Sequence, residues 1–437
     1  MLFRSDKMKT AVILAGGKGT RLAEIRSDVP KPMMPVLDKP LLAYQIELLK
    51  EHGFTKVWLI VNHLYEHIEA YFANGEDLGI EINYYIEQQP LGTVGGVKAI
   101  EQHLQDPFLV LYGDVMMNMD LNRLITFHKN KNADATLVVH PNDHPYDSDL
   151  LAVDGEDRVT AFYAKPHPEG LRYRNLVNAA AYVFNPVVLE HLEPGVKADF
   201  GKDIFPTLHA KLNVFAYNTP EYLKDMGTPD RLKKVEEALK SGKVAARNLN
   251  NKQRCVFLDR DGVINIDTDL IDRPEDLELY PYAASSIRRL NKMGFLVVVV
   301  TNQSVIARGL CTIATLDEIN KKMETELGQE GAFVEAIYYC PHHPHSGYEG
   351  EVKEYKVECS CRKPKPGMLL EAADRFNIDL TKSYLVGDSA RDIEAGARAG
   401  VETIRVKTGH GLKPHTEVPM HYVADLVAAV DLIEGQS

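Results

Sequence analysis

The sequence is short of cysteine and tryptophan and has no long apolar run. Five cysteines and one tryptophan occur in 437 residues. Thiols this few, and odd in number, argue against the framework of a disulfide-stapled secreted chain. No stretch reaches the roughly 18 to 20 consecutive apolar residues of a membrane helix. The apolar run 11–15 meets Gly16 and Gly17 too soon for a signal-peptide core. A cytoplasmic location without a membrane partner is expected. Positive charge is also in deficit: 50 Lys and Arg face 62 Asp and Glu, a formal net charge of −12. An acidic chain without basic runs is a poor ligand for nucleic acid. Small anionic substrates remain open.

What is present is the composition of a globular chain, 45% hydrophobic and 26% charged, long enough for two or three domains. Between residues 9 and 140, short apolar runs near 10–14, 57–61, 80–86, 108–111 and 135–139 alternate with amphipathic stretches, the rhythm of a parallel α/β sheet. Two more strands are expected at 175–185 and 213–218, and a closing helix at 229–239. The small, polar segment 241–252 reads as a linker. From Cys255 the rhythm restarts, with strands at 255–258, 295–300, 334–339, 383–386 and 402–406 and helices at 283–293, 316–327, 368–376 and 391–399. The expected fold class is therefore α/β with two doubly wound domains, residues 1–240 and 253–437.

After the first strand comes Leu14-Ala-Gly-Gly-Lys-Gly-Thr-Arg-Leu22, then Pro30-Lys31-Pro32. Gly16, Gly17 and Gly19 let backbone N–H groups approach a polyphosphate, while Thr20, Arg21 and Lys31 supply hydrogen bonds and charge. The pattern is neither the P-loop nor the dinucleotide fingerprint. It resembles the sugar-1-phosphate nucleotidyltransferases, whose signature is Gly-Gly-x-Gly-Thr-Arg-Leu followed by Pro-Lys-Pro, and the likeness runs over about residues 8–240. That resemblance implies a Rossmann-like domain. It makes Pro90-Leu-Gly-Thr-Val-Gly95 the loop beside the base, with Gly92 and Thr93 on the nucleotide. It makes Asp114 and Asp225 the Mg²⁺ ligands, Lys31 the contact to the nucleotide phosphates, and Lys165 and Asn178 contacts to the sugar phosphate. Attack of a sugar phosphate on a nucleotide α-phosphorus joins two anions, so a divalent cation and cationic side chains are what the reaction demands. Two departures touch sugar selection: Ala164-Lys165-Pro166 and Asn178-Ala179-Ala180 stand where the family usually has Glu-Lys-Pro and Asn-Ala-Gly. Residues 27–35 most resemble the branch that makes GDP-activated mannose-like and heptose sugars, which favours GTP.

In the second half, Asp259-Arg-Asp-Gly262, Thr301-Asn-Gln-Ser304 and Gly387-Asp388-Ser-Ala-Arg-Asp392 each follow an apolar strand. Parallel strands end on one edge of a sheet, so these segments should converge. A carboxylate nucleophile, a second carboxylate two residues on, a hydroxyl and a metal-binding Asp form a workable phosphoryl-transfer set. The set resembles the haloacid-dehalogenase-type phosphatases. That implies a capless domain in which Asp259 attacks phosphorus, Asp261 is general acid then base, and Thr301 and Lys363 hold the phosphoryl group. Mg²⁺ would sit among Asp259, the carbonyl of Asp261 and Asp388. Asp392 is as well placed to brace the following helix as to meet the metal.

Cys340 and His342, followed by Cys359 and Cys361, supply four tetrahedral ligands of the kind Zn²⁺ accepts, a structural staple for an otherwise long loop. This loop, Arg362-Lys363-Pro, Thr301-Asn-Gln and Ile306-Ala-Arg-Gly309 resemble two phosphatase families, those acting on heptose 1,7-bisphosphate and on histidinol phosphate. Tyr338 to Pro344 and Gly367 to Leu370 fit the heptose family better. Asn302, Arg308 and Arg362 are the candidate substrate contacts. Val305, Thr268-Asp-Leu270 and Ser389 depart from that family's usual Gly, His-Gly-Tyr and Lys. The expected whole is a bifunctional enzyme of activated-heptose synthesis for a surface glycan, with homo-oligomerisation left open. The other enzyme reading pairs a transferase for another sugar 1-phosphate with a phosphatase for another monoester. A silenced scaffold is disfavoured by intact carboxylates in both halves.

Overall fold

The structure, a computed structural model, describes residues 8–17, 28–347, 349–413 and 418–436. It divides into two compact units. One comprises residues 1–140, 149–165 and 177–248; the other comprises 141–148, 166–176 and 249–437.

In the first unit Thr10–Leu14, whose Ala11, Val12 and Ile13 are fully buried, lies parallel between Lys56–Val61 and Phe108–Tyr112. Glu81–Ile86 extends the parallel run beyond Lys56–Val61. The seven strands expected from the sequence are present, Val115–Asn118, Leu150–Val153, Val159–Tyr163 and Tyr222–Asp225 add to them, and the sheet is mixed rather than parallel throughout. Val177–Phe184 runs antiparallel to both Phe108–Tyr112 and Ala135–His140, and Leu150–Val153 pairs antiparallel with Val159–Tyr163. The second of these pairs follows from connectivity: a parallel neighbour requires a long crossover, usually a helix, whereas two strands joined by a short hairpin, as Leu150–Val153 and Val159–Tyr163 are, reverse. A small separate ribbon pairs Val115–Asn118 with Tyr222–Asp225, placing Asp225 opposite Val115. Helix Pro229–Lys240 follows, its first turn closed by the Thr228 hydroxyl accepting from the Arg231 N–H.

The second unit is built on a six-stranded sheet, parallel in every pair, in the order Ala336–Cys340, Leu296–Asn302, Cys255–Leu258, Tyr384–Gly387, Glu402–Val406, His421–Val423. Along the chain this is 3-2-1-4-5-6, and the order reverses between Cys255–Leu258 and Tyr384–Gly387. That switch point is where a crevice opens at the carboxyl ends of strands. Val256 and Leu258 face one core, with Ile287 and Leu290 of helix Ala283–Lys292; Cys255 and Phe257 face the other, with Met368 and Leu369 of helix Gly367–Arg375. A strand buried on both faces reads as a continuous apolar run, which is why its position is plain in the sequence. The edge strand His421–Val423 and helix Leu426–Gln436 were not expected. Among the described residues, no helix is long and apolar enough to cross a membrane.

Candidate active sites and metal centre

In the second unit the three strand-end motifs converge. Asp259 follows Cys255–Leu258, Thr301 ends Leu296–Asn302, and Asp388 follows Tyr384–Gly387. All three, with Asp261, Asn302, Arg308, Arg362 and Lys363, line one cleft of about 410 Å³. Lys363 is its electrostatic centre. Its ammonium lies 2.9 Å from Asp259 Oδ2 and 2.5 Å from Asp392 Oδ1, and it donates to the Val300 carbonyl at 2.7 Å. Asn302 and Lys363 exchange hydrogen bonds, Nδ2 to the Lys363 carbonyl and Lys363 N–H to Oδ1, each at 3.0 Å. The Asn302 amide therefore fixes the lysine's backbone as well as lining the cleft.

Burial, and then Asp392, push the Asp259 carboxyl well above the usual range against the pull of Lys363. Burial and Asp392 likewise raise Asp388, to about 6. Asp392 itself is held low: burial opposes its charge, but Lys363 and Ser389 outweigh it. One Asp392 oxygen accepts from the Ser389 N–H at 3.0 Å and from its hydroxyl at 2.5 Å, closing a capping box on helix Ala390–Ala399. With the other oxygen on Lys363, Asp392 serves as a brace. Asp261 accepts from Gln303 Nε2 at 2.8 Å and from Asn265 Nδ2 at 3.1 Å, and pairs with the fully buried Arg260. Gln303 also donates to the Thr301 hydroxyl at 2.9 Å, so it orients both groups.

The donor set fits a divalent cation. Carboxylate oxygens of Asp259, Asp388 and Asp392 lie within 4.8 Å of one another, all buried, with one lysine against three acids. Gly262, at φ +80°, presses so closely that a Cβ would come 2.4 Å from Asp388 Oδ2. Sequence reasoning did not single out Asp267 and His410, whose ligand atoms also lie within 4.8 Å of Asp388's. Neither belongs to a strand-end motif, which is the signal that exposed the others.

Cys340, His342, Cys359 and Cys361 come together as four ligand atoms. Four of the distances between these atoms run from 3.3 to 3.6 Å, including Cys361 Sγ to Cys359 Sγ at 3.3 Å and Cys340 Sγ to His342 Nδ1 at 3.6 Å. Zinc–sulfur bonds of about 2.3 Å in a tetrahedron set edges near 3.7 Å, so the cluster is of zinc-holding size. All five cysteines are free of disulfides. Hydrogen bonding from Cys340 and Cys359 draws the Cys361 thiol down to about 5 despite burial. Arg362, next in the chain, donates to the His342 carbonyl at 2.9 Å, linking the cluster to the cleft. His343 stays outside the ligand set, its Nδ1 3.3 Å from the His345 carbonyl.

In the first unit, Gly19, Thr20 and Arg21 lie outside the described residues. Lys31, between Pro30 and Pro32 in the turn Lys31–Met33, places its ammonium 2.5 Å from Asp114 Oδ2 and 4.0 Å from Asp225 Oδ1. Asp225 pairs in addition with Arg231. The ribbon enforces this meeting, because the Met226 N–H donates to the Asp114 carbonyl at 2.9 Å. Two hard carboxylates converging on one cation suit Mg²⁺. Gly113 allows the approach: a Cβ there would be 3.1 Å from the Leu14 carbonyl oxygen. Gly16 and Gly17 are described at the end of the first strand, and a Cβ on Gly16 would meet Glu87 Oε2 at 3.3 Å.

Gly92, at φ +76°, lies against residue 198, where a Cβ would be 2.1 Å from the carbonyl oxygen. The Thr93 hydroxyl donates to Asp199 Oδ2 at 3.0 Å and accepts from the Phe200 N–H at 2.8 Å. Lys165 and Asn178 are brought together by a residue that the sequence did not single out: Asp149 accepts the Lys165 N–H on Oδ1 at 3.0 Å and the Asn178 N–H on its carbonyl at 2.9 Å. Asn178 Nδ2 donates to the Tyr182 hydroxyl at 3.0 Å.

The nucleotidyl transferase family profile matches residues 10–242, more than half of the chain, and a HAD-hydrolase-like profile matches residues 360–430. The D-glycero-beta-D-manno-heptose-1,7-bisphosphate 7-phosphatase of Escherichia coli O6:H1 is 42% identical over 174 residues, which cover 40% of this chain and 90% of that one. The UTP–glucose-1-phosphate uridylyltransferase of Synechocystis is 34% identical over 236 residues, 50% of this chain and 61% of that one. The mannose-1-phosphate guanylyltransferase of Mycobacterium tuberculosis is 34% identical over 223 residues, with the same coverage. The chain thus spans about three fifths of the length of these two nucleotidyltransferases. Its first half belongs to the nucleotidyl transferase family and its second to the haloacid-dehalogenase-like phosphatases that include the heptose bisphosphate enzyme, so the chain joins a nucleotidyltransferase to a phosphatase.

Proposed function

We propose that the chain makes a nucleotide-activated heptose in two steps. It first hydrolyses the 7-phosphate of D-glycero-D-manno-heptose 1,7-bisphosphate and then transfers GMP from GTP to the remaining 1-phosphate, releasing pyrophosphate. The observation that carries this reading is the fusion itself: a half that is 42% identical to a heptose bisphosphate phosphatase over 90% of that enzyme accompanies a nucleotidyltransferase in one chain. The product of the first reaction, a sugar 1-phosphate, is the substrate class of the second.

In the first step an Asp259 oxygen attacks phosphorus and the bond to the sugar oxygen breaks, with Asp261 delivering the proton. Asp261 then takes a proton from water, which attacks the aspartyl phosphate and releases phosphate. Lys363 and Thr301 hold the transferring group, and the location of Lys363 against Asp259 supports that role. Mg²⁺, held by Asp259, Asp388 and the Asp261 carbonyl, would supply charge neutralisation. In the second step a heptose 1-phosphate oxygen attacks the α-phosphorus of GTP and the bond to the β-phosphate bridge breaks. Lys31 and Arg21 offset the charge of the nucleotide phosphates, the glycine loop (Gly16, Gly17, Gly19, Thr20) cradles them, and Gly92 and Thr93 border the base. Lys165 and Asn178 hold the sugar phosphate, and Asp114 and Asp225 would hold Mg²⁺. A boundary in 241–252 and a cytoplasmic setting belong to the same reading.

GTP is favoured by the resemblance of residues 27–35 and by the guanylyltransferase relative; the uridylyltransferase relative favours a second reading, transfer of UMP to another sugar 1-phosphate, glucose-like rather than a heptose. One experiment tests both: incubate the full chain with heptose 1,7-bisphosphate and each nucleoside triphosphate in turn, and identify products by mass. GDP-heptose with a tenfold or greater preference for GTP is expected. About 1.4 kcal/mol, within reach of one or two hydrogen bonds to the base edge, is enough. No phosphate release from the bisphosphate, or a preference for UTP, would overturn the assignment.

A further inference from the structure

We infer that Arg391 forms, with Arg362, the subsite for the phosphate that the second half does not cleave, making Arg391 a specificity-determining residue. This deepens the proposed function and rests on its substrate. Asp259, Asp261, Asp267 and Asp388 line the cleft together with Arg362 and Arg391, and the two arginines, unlike those four acids, also line a second cavity, of about 370 Å³, beside Cys359 and Lys365. Among the described residues, no carboxylate forms an ion pair with either guanidinium, whereas other arginines of this unit have one, such as Arg260 with Asp261 and Arg398 with Glu394.

Two guanidiniums that line the same two cavities without a counter-charge are costly unless an anion comes between them. Arg391 is exposed, on the first turn of helix Ala390–Ala399, so it serves no core. Arg362 is tied by its bond to the His342 carbonyl and cannot pivot freely, whereas Arg391 can swing onto an incoming phosphate. A substrate whose scissile phosphate lies at Asp259 would meet these two arginines, which line the same cleft, with a second anionic group. A bisphosphate fits a cleft with arginines left unpaired beside the nucleophile better than a monophosphate does.

The test compares heptose 1,7-bisphosphate with heptose 7-phosphate on the full chain, since the two share the scissile ester and differ in the second phosphate. Wild-type protein should prefer the bisphosphate at least tenfold in kcat/KM. Absence of that preference would overturn the substrate reading of the preceding subsection. Given the preference, Arg391→Gln should lower the ratio at least tenfold, chiefly through KM for the bisphosphate, and Arg391→Lys should recover part of it. An Arg391→Gln ratio equal to that of wild type would overturn the role of Arg391 while leaving the substrate reading intact.

Discussion

In the second half a lysine 2% exposed sits between Asp259 and Asp392, 13% and 0% exposed; in the first half Lys31, 11% exposed, sits between Asp114 and Asp225, 35% and 39% exposed. Both are lysines poised between two carboxylates, yet the physics differs. Buried charges cost desolvation and become interdependent, so the phosphatase lysine is part of the fold as well as of the site. Half-exposed charges are screened, so the transferase site can be altered with little effect on folding. On the proposed function the difference suits the reactions: an aspartate that is to become a nucleophile gains from a dry, preassembled pocket, whereas a site for a long triphosphate must stay open to admit it.

The largest effect expected is the separation of the two activities. Asp259→Asn should reduce phosphate release from the bisphosphate on the order of a thousandfold or more while sparing nucleotide transfer to a supplied sugar 1-phosphate. Asp114→Asn should do the reverse. Assaying both reactions on both folded variants decides it, and loss of both activities in either one would refute independent sites.

Next in size is the contrast in stability. Lys363→Met leaves Asp259 and Asp392 buried without their cation and should destabilise the second half by about 3–5 kcal/mol. Lys31→Met should cost about 1 kcal/mol or less. Urea unfolding followed by probes in each half measures both, and equal losses would erase the distinction.

How far these sites could be read from the sequence depends on how local their signals are. Asp259, Thr301 and Asp388 each end an apolar strand, and parallel topology then forces them together, so a chain-local pattern suffices. The convergence of Cys340 with His342 and Cys359 with Cys361, two short pairs, is equally legible. The reversal of Val177–Phe184 was not, because strand direction depends on connections that leave no mark in the strand itself. Nor were Asp149 and Gln303, which orient other residues through hydrogen bonds made only in the folded chain. Arg391 stood in plain sight within a motif but carried no signal until the absence of a carboxylate partner set it apart.

The Cys340–His342–Cys359–Cys361 cluster sharpens the comparison from another side, since among the described residues only the second half contains such a set. Protein purified without added metal should hold about one zinc per chain by elemental analysis. Cys359→Ser should lose it and lower the unfolding temperature of the second half by several degrees while moving that of the first little. The path runs through Arg362 and Lys363, which follow Cys361 directly. Protein free of zinc, with these thiols paired as disulfides, would refute the site.

The smallest effect expected concerns the anomer, where the relatives of the two halves pull in different directions. The Escherichia coli phosphatase is named for the β-bisphosphate, whereas the GDP series implied by the transferase resemblance is built on the α-anomer. A fused pair works only if the phosphatase leaves the anomer that the transferase accepts, because the 1-phosphate must survive to attack the nucleotide. We therefore expect the α-bisphosphate to turn over faster than the β, by a few-fold, since a C1 configuration several bonds from the scissile ester changes only how the second phosphate is held. Residues 268–270, Thr-Asp-Leu in place of the usual His-Gly-Tyr, are where such a change of preference can be written: Asp269 and Leu270 line the cleft that holds Asp259. A phosphorus NMR time course on each pure anomer follows both resonances at once. Loss of the 7-phosphate signal first, faster for α, is the expected outcome. A faster β-anomer would mean that the second half kept its relative's preference and that the first half takes the β-phosphate; loss of the 1-phosphate first would break the order of the two steps.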